Sequence, residues 1–368
     1  MGKPELKSEV PFSSNAIRLS PREWSVAAVA LLALLLFVPR LWGRIEPFAP
    51  GPDFRMPYKL CSDYWLYERY CRAAASSGKT LLIGDSVIWG QYVKADETLS
   101  HHLNALAGAD RFANMGMDGM HPAALSGLVK YYGLPVSGKK VILFCNPLWM
   151  SSDKADLSAD KEFSFNHPKL VPQFFPRIPC YTESLSGRLG IEAERGLPFF
   201  AWANHLRVAY LDSMDIPAWT MEHPYASLAS AISLQLPVKE ERLKRRPALW
   251  TGKEQDKQDF AWVGLEQSLQ WKCFRSTVET LERRGNSVFV LVGPFNEHMI
   301  RKNSLGAYTK LKAGIEKWLR EGNIPHLAPP PLPSEQYADA SHPWAKGYER
   351  LAGKLFQSEG FRSTILEK

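Results

Sequence analysis

A serine at position 86 follows an apolar run in the stretch LLIGDSVIWG, residues 81–90. The run stops at Gly84-Asp85-Ser86, a pattern typical of a buried strand that ends in a tight turn. Such a turn brings one side chain to the C-terminal edge of a sheet, where α/β proteins place their chemistry. Ser86 could therefore act as a nucleophile. The alternative is that it only caps the next helix, because serine and aspartate are favoured there.

A candidate base and a candidate orienting acid lie near the C-terminus, at His342 and Asp339. A serine hydroxyl becomes a good nucleophile when a neighbouring base takes its proton, and the base works best when a third group fixes its tautomer. The Asp-x-x-His spacing at the entrance to a helix lets both side chains reach one edge of the sheet. Pro343 suits the first turn of that helix. The alternative is a helix-capping aspartate beside a surface histidine.

Donors for the negative charge that develops on a reacting carbonyl oxygen are expected in two further loops. Gly119 ends the run NMGMDG after the second predicted strand, where its N–H has no side chain in the way, and Gly116 is the second choice. Asn146 follows the third predicted strand, and its side-chain amide is a natural donor. Ordinary turn chemistry explains both loops equally well, because asparagine and glycine favour turns.

The elements that would position these residues alternate between strand and helix. Strands are predicted at residues 80–86, 111–119, 286–294 and within 139–150, and helices at 97–108, 121–133, around 265–281, around 308–318 and after His342. The proline-rich segment before Asp339 is expected to be extended. Strands separated by helices of this length indicate βαβ units. The predicted fold is therefore α/β, with one doubly wound, mainly parallel sheet.

The chain is predicted to have an N-terminal membrane anchor and an interrupted catalytic domain. We expect a tail at residues 1–23, the anchor at 24–43, and a linker with an aromatic-rich helix (61–75) at 44–78. The first part of the domain is 79–150 and the second part is 262–368. Between them, residues 151–261 form an insertion over the sheet, with one predicted helix at 199–214.

The apolar segment WSVAAVALLALLLFVPRLWG, residues 24–43, is interpreted as an uncleaved single-pass anchor in the bilayer. Its uncharged core is as short as the apolar region of a signal peptide. However, Trp24 and Trp42 lie where interfacial aromatic residues belong, Arg40 can extend to the interface, and no small-residue cleavage site follows. Basic residues flank both ends equally, so the charges leave the orientation open.

The charge and the cysteines restrict the function only slightly. About half of the net charge of +7 comes from the run KEERLKRR at residues 239–246, which is either a solvated helix face or a site for a polyanion or anionic lipid. No nucleic-acid-binding motif is present. Cys61 and Cys71 could form a disulfide or remain two buried thiols, and the other three cysteines lack metal-site spacing.

The order of the four motifs resembles the block pattern of the SGNH/GDSL hydrolase superfamily: Gly-Asp-Ser, then Asn-x-Gly-x-x-Gly, then asparagine, then Asp-x-x-His-Pro. The resemblance implies that Ser86 is the nucleophile and that Asp339 and His342 complete its triad. It also implies an oxyanion hole made by the Ser86 N–H, Gly119 and Asn146.

This resemblance covers about residues 79–150 and 262–360 and leaves out the insertion. The third block departs from the family pattern. The family usually has a glycine before and an aspartate after the asparagine, whereas Cys145 and Pro147 flank Asn146. Because proline fixes its own backbone, this departure bears on where the Asn146 side chain points.

The architecture also resembles the membrane-attached SGNH proteins of bacterial cell-envelope modification, such as the alginate O-acetylation proteins and the lipoteichoic-acid D-alanylation protein. This resemblance implies a single-pass protein of the bacterial inner membrane, with its catalytic domain in the periplasm beside a membrane-bound O-acyltransferase. The implied reaction is O-acetyl transfer to an exported or envelope polysaccharide through an acyl-serine, with no metal or other cofactor.

Two other functions fit the same residues. An SGNH esterase or deacetylase would let water resolve the acyl-serine. A catalytically silent protein would bind glycan or act as a scaffold for a membrane acyltransferase. Several tryptophans in or beside the insertion are candidates for stacking on sugar rings, with ordinary packing as the alternative for each. They are Trp149, Trp202, Trp219 and Trp250.

Overall fold

The computed structural model of the protein describes residues 19–236 and 249–367. The chain divides into two compact units, Met1–Glu46 and Pro47–Lys368. The basic run at residues 239–246 and most of the predicted N-terminal tail lie outside the described residues. The two units are described separately below.

The first unit contains one long helix, α1 (Pro21–Ile45). Its start is fixed by a capping box, in which Ser20 and Glu23 satisfy each other's backbone N–H groups, and by Pro21 in the first turn. The helix has 25 residues and a mean hydropathy of 2.1 over its most apolar window. Among the described residues it is the one helix long and apolar enough to cross a membrane.

The second unit is built on a five-stranded, all-parallel sheet in the order β2-β1-β3-β4-β5. The strands are β1 (Thr80–Gly84), β2 (Phe112–Gly116), β3 (Lys140–Cys145), β4 (Ser287–Val292) and β5 (His326–Leu327). Four of them fall where strands were predicted, and the short β5 lies in the segment expected to be extended. Chain order reverses between β1 and β3, and ligands bind at such a point in open α/β sheets.

The helices of the second unit cover both faces of the sheet. Those outside the insertion are α2 (Tyr64–Ser76), α3 (Ser86–Trp89), α4 (Leu99–Ala107), α5 (Pro122–Tyr131), α10 (Leu269–Arg283), α11 (Lys302–Glu321), α12 (Ala345–Gln357) and α13 (Glu359–Phe361). On one face, α4 and α12 pack together over a core that includes Leu82, Phe289 and Leu351. On the other face, α5 contacts α10. The predicted doubly wound α/β architecture matches this arrangement.

The insertion has more helices than the sequence indicated. Among its described residues are four, α6 (Leu185–Gly196), α7 (Pro198–Tyr210), α8 (Ile216–Glu222) and α9 (Leu228–Ala231). Only α7 was predicted, and the prediction extended it too far, because Asp212 and Ser213 adopt positive φ and end the helix. The glycine-rich α6 has weak helix propensity, and α8 and α9 have only seven and four residues, too few for a periodic pattern to show. Each begins at a serine or aspartate cap.

The cysteines of the described residues are all free and buried. Cys61 and Cys71 are therefore two buried thiols and do not form a disulfide. Burial raises the pKa of the Cys61 thiol to about 12. Cys61 lies before α2, the aromatic-rich helix, which begins at Tyr64 because Asp63 caps it by accepting from the Leu66 N–H at 3.0 Å.

Candidate active site

Ser86 is the first residue of α3, directly after β1. Asp85 caps this helix: its Oδ1 accepts a hydrogen bond from the Val87 N–H at 2.9 Å. The capping role that the sequence left open for Ser86 thus belongs to Asp85. The Ser86 hydroxyl is left available, and its Oγ lies 2.8 Å from Nε2 of His342.

His342 is linked in turn to Asp339. Its Nδ1 lies 2.8 Å from both Oδ1 and Oδ2 of the Asp339 carboxylate. Oδ1 also accepts from the backbone N–H groups of Ser341 and His342, each at 2.9 Å, so the loop fixes the carboxylate before it contacts the ring. The structure thus brings Ser86, His342 and Asp339 together in the order that nucleophilic catalysis needs.

The helix after His342 begins later than predicted. α12 starts at Ala345 with Trp344 as its N-cap residue, so Asp339 and His342 lie in the preceding loop. Pro343 is also outside the first turn, where the sequence had suggested it, and pairs instead with Tyr337 in an isolated antiparallel bridge. This bridge joins the two ends of the loop that carries Asp339 and His342.

The two titrating partners shift each other's pKa. Burial alone would lower the pKa of His342, but the hydrogen bond and charge of Asp339, with the charges of Asp85 and Asp118, outweigh it and raise that pKa. Burial alone would raise the pKa of Asp339, but contacts with His342 and two backbone N–H groups outweigh it and lower that pKa. His342 is therefore a stronger base than a free histidine, and Asp339 stays ionised.

Asn146 is held in place at both ends of its amide. Its Oδ1 accepts from the Leu148 N–H at 3.1 Å, and its Nδ2 donates to Oδ2 of Asp85 at 2.7 Å. Pro147 is compatible with this position because it opens a short 3-10 turn for which Asn146 is the cap. Since Nδ2 carries two hydrogens, one N–H remains for an oxyanion.

Gly119 lies in the loop after β2 with a φ of 68°, a conformation that favours glycine. A Cβ at this position would also overlap the side chain of Asn166. Gly116, the second choice, ends β2 and its N–H already donates to the Asn114 side chain at 3.0 Å. Of the two glycines, Gly119 is therefore the one suited to donate to a substrate.

Two residues beside the triad carried no sequence signal. The Tyr92 ring packs edge-on against the His342 ring, with centroids 5.3 Å apart, and 6.1 Å from the Trp344 ring. Tyr92 has a φ of 72°, which is costly for a residue with a side chain and is often found at functional sites. Burial, and then the nearby Asp339 charge, raise the pKa of its hydroxyl, which stays protonated.

The predicted sugar-stacking tryptophans are distributed over different places. Trp149 is at the site, where its Nε1 donates to Oδ2 of Asp85 at 2.8 Å. Trp202 lies in α7 of the insertion with its ring 5.3 Å from Phe199. Trp219, in α8, is 5% exposed and stacks on His223, so its faces are covered. Trp250 is 8% exposed and donates to Ser334.

Comparison with known proteins adds no relative to this picture. No family model matches the chain, and no curated protein matches it. The site itself provides a buried serine, an oriented histidine of raised basicity, and an asparagine amide held at the end of the neighbouring parallel strand.

Proposed function

We propose that this protein is a membrane-anchored serine O-acyltransferase that passes an acyl group to a glycan hydroxyl through an acyl-serine intermediate. The observation that carries the proposal is the chain of contacts from Ser86 through His342 to Asp339, each at 2.8 Å. The order of the motifs on the sheet supports assigning it to the SGNH type, with the nucleophile after β1, Gly119 after β2 and Asn146 after β3.

In the first half-reaction, Nε2 of His342 takes the proton of Ser86 as Oγ attacks the carbonyl carbon of a donor ester. The imidazole can do this because its Nδ1–H donates to Asp339, which leaves the Nε2 lone pair facing the serine. The oxyanion is stabilised by the N–H groups of Ser86, Gly119 and Asn146. His342 then gives the proton to the departing alcohol, and an acyl-serine remains.

The second half-reaction reverses these roles. An acceptor hydroxyl gives its proton to Nε2 of His342 and attacks the acyl carbon. The bond between that carbon and Oγ of Ser86 breaks, and the proton returns to Oγ. A sugar hydroxyl as acceptor makes the protein a transferase, and water makes it an esterase.

The helix α1 supports a membrane-attached form of this enzyme. Its length and apolar composition suit a single span, and the catalytic unit begins immediately after it, at Pro47. We infer that the catalytic unit lies on the extracytoplasmic side, beside a membrane-bound acyltransferase that supplies the acyl group. This orientation follows from the architectural resemblance alone.

The test uses the full chain, solubilised in a detergent without a sugar headgroup, as wild type and Ser86→Ala. p-Nitrophenyl acetate serves as acyl donor, with and without mannotetraose or tetramannuronate as acceptor, and products are identified by mass spectrometry. Ser287→Ala is the matched control, because Ser287 is exposed at the start of β4. The strands begin at the opposite end of the sheet from the triad.

Release of p-nitrophenol that requires Ser86 and not Ser287, with an acetylated tetrasaccharide as product, is the expected result. Release that requires Ser86 but yields only free acetate, with either acceptor present, would support the esterase instead. Equal release by wild type and Ser86→Ala, with both shown to be folded by circular dichroism, would leave a glycan-binding or scaffolding role.

A further inference from the structure

A cleft of about 530 Å³, within the range of pockets that hold small ligands, lies beside Tyr92 and Trp344. Tyr92 and Trp344 form its aromatic wall, and Tyr92 is the residue whose ring contacts His342. Both aromatic side chains are half-buried, so each keeps part of its ring accessible. Tyr92 therefore belongs both to the wall of the cleft and to the surroundings of the imidazole.

The backbone fixes the positions of both aromatic residues in this wall. Trp344 follows His342 by two residues and is the N-cap of α12, so the helix fixes its position relative to the base. Tyr92 holds a left-handed backbone conformation that a residue with a side chain rarely adopts. Strain of this kind persists only where the surroundings enforce it, and it concentrates at ligand-binding positions.

The polar residues of the cleft are mainly hydrogen-bond acceptors. Glu97 and Glu335 contribute two carboxylates, and Lys346 is the one cation among the described lining residues. Gln336 is 9% exposed, and its side-chain Oε1 has no hydrogen-bond partner among the described residues. Aromatic faces with acceptors suit a ring that carries hydroxyl groups.

Acyl transfer requires the acceptor to bind within reach of His342. The entering hydroxyl must reach Nε2 of His342, whereas the carbonyl oxygen points to the donors at Gly119 and Asn146. An acceptor bound in the cleft would bring a hydroxyl to the imidazole by extending past the Tyr92 ring, which lines the cleft and contacts His342. The two carboxylates would disfavour an acceptor that carries carboxylate or phosphate groups.

We propose that this cleft is the acceptor subsite and that it binds a neutral sugar ring, stacked on Trp344 and Tyr92 and hydrogen-bonded to Glu335 and Gln336. Its use in catalysis rests on the proposed acyltransferase function. The sugar O–H loses its proton to His342, its oxygen bonds to the acyl carbon, and the Ser86 Oγ–acyl bond breaks as Oγ regains the proton.

The test measures sugar binding apart from turnover. The full chain with Ser86→Ala, in the same detergent, is titrated by calorimetry with mannotetraose, cellotetraose and maltotetraose, and with tetramannuronate as the charged counterpart of mannotetraose. The same titrations are repeated with Trp344→Ala added, and with Trp344→Phe, which keeps an aromatic face. Glu349→Gln, on an exposed position of α12, is the control for Glu335→Gln.

We expect at least one neutral tetrasaccharide to bind, and Trp344→Ala to weaken it by about fivefold or more. Trp344→Phe should stay close to the parent, and Glu335→Gln should narrow the preference of the site for mannotetraose over tetramannuronate, whereas Glu349→Gln should not. Binding of none of the neutral sugars, binding that Trp344→Ala leaves unchanged, or tighter binding of tetramannuronate would each overturn the proposal.

The two proposals fail in distinguishable ways. If wild type hydrolyses p-nitrophenyl acetate through Ser86 but no neutral sugar binds through Trp344, the acceptor subsite is wrong and the serine chemistry stands. If a neutral sugar binds through Trp344 and no Ser86-dependent release occurs, the cleft is a glycan site and the acyltransferase is wrong.

Discussion

The amide of Asn146 donates to the buried carboxylate of Asp85 at 2.7 Å, and this contact joins the ends of β1 and β3. Asp85 is 3% exposed, and its other partners are the Val87 N–H and Trp149 Nε1. Burial raises the pKa of Asp85, while these hydrogen bonds oppose the shift. The residue next to the nucleophile therefore orients a candidate oxyanion donor, in addition to capping α3.

Removal of that donor should slow acyl transfer more than removal of the residue that orients it. We expect Asn146→Ala to lower kcat for p-nitrophenyl acetate by about 10²- to 10³-fold, the usual cost of losing one oxyanion donor. Asp85→Asn keeps the Asn146 donor but places an amide N–H against it, so the donor is only misoriented. This variant should therefore lower kcat by a smaller factor than Asn146→Ala. Both are measured on the alkaline plateau, where His342 is neutral, because Asp85 also affects the pKa of His342.

The double variant distinguishes positioning from an independent role. If Asp85 acts through Asn146, Asp85→Asn combined with Asn146→Ala should have nearly the kcat of Asn146→Ala alone. If the two losses multiply, Asp85 contributes by another route, and the assignment of Asn146 as its target is wrong.

A second prediction concerns pH. His342 must be neutral to take the Ser86 proton, so kcat/KM should fall as the pH drops through the pKa of His342 in the free enzyme. Because that pKa is raised above its ordinary 6.5, the midpoint of the fall should lie above 6.5. Asp118→Asn removes one of the charges that raise it and should move the midpoint to lower pH.

Asp110→Asn is the matched control for Asp118→Asn. Both aspartates flank β2, but Asp110 precedes the strand, at the edge away from the triad, and pairs with Lys79 at 2.5 Å. Its substitution should leave the pH profile of kcat/KM unchanged. An identical shift in both variants would mean that the profile reports net charge and not the electrostatics of the loop after β2.

The parts of the site that the sequence could predict are those set by strand ends and short spacings. Ser86, Gly119 and Asn146 each follow an apolar run, and parallel strands bring their carboxyl ends to one edge. Asp339 and His342 are three residues apart, so a single turn is enough to join them. Local patterns of this kind can be recognised in a single sequence without structural information.

The remaining features depend on contacts between distant segments. Nothing in the run GQYVKADE shows that Tyr92 adopts positive φ or reaches a histidine about 250 residues away. Tertiary packing decides such conformations. The missed helices of the insertion have a local reason: α6 contains three glycines, and α8 and α9 have only seven and four residues, so neither propensity nor periodicity identifies them.

A third prediction tests how the insertion is fixed to α2. Asp63, the cap of α2, lies 2.6 Å from Nδ1 of His205 in α7, and both side chains are 0% exposed. Removing the carboxylate also removes a hydrogen-bond partner from a buried imidazole, and such a loss costs about 1–3 kcal/mol. Asp63→Ala should therefore lower the free energy of unfolding by more than the roughly 1 kcal/mol that a lost cap alone costs.

Urea unfolding of the full chain, followed by tryptophan fluorescence, measures this difference. Asp215→Ala is the control, because Asp215 caps α8 by accepting from the Ala218 N–H at 2.8 Å but is exposed. The double variant Asp63→Ala with His205→Leu should lose less stability than the sum of the two single variants, since the second change removes the imidazole that has lost its contact with Asp63. Additive losses, or equal losses for Asp63→Ala and Asp215→Ala, would show that the pair contributes no coupling and that α7 is held to α2 by apolar packing alone.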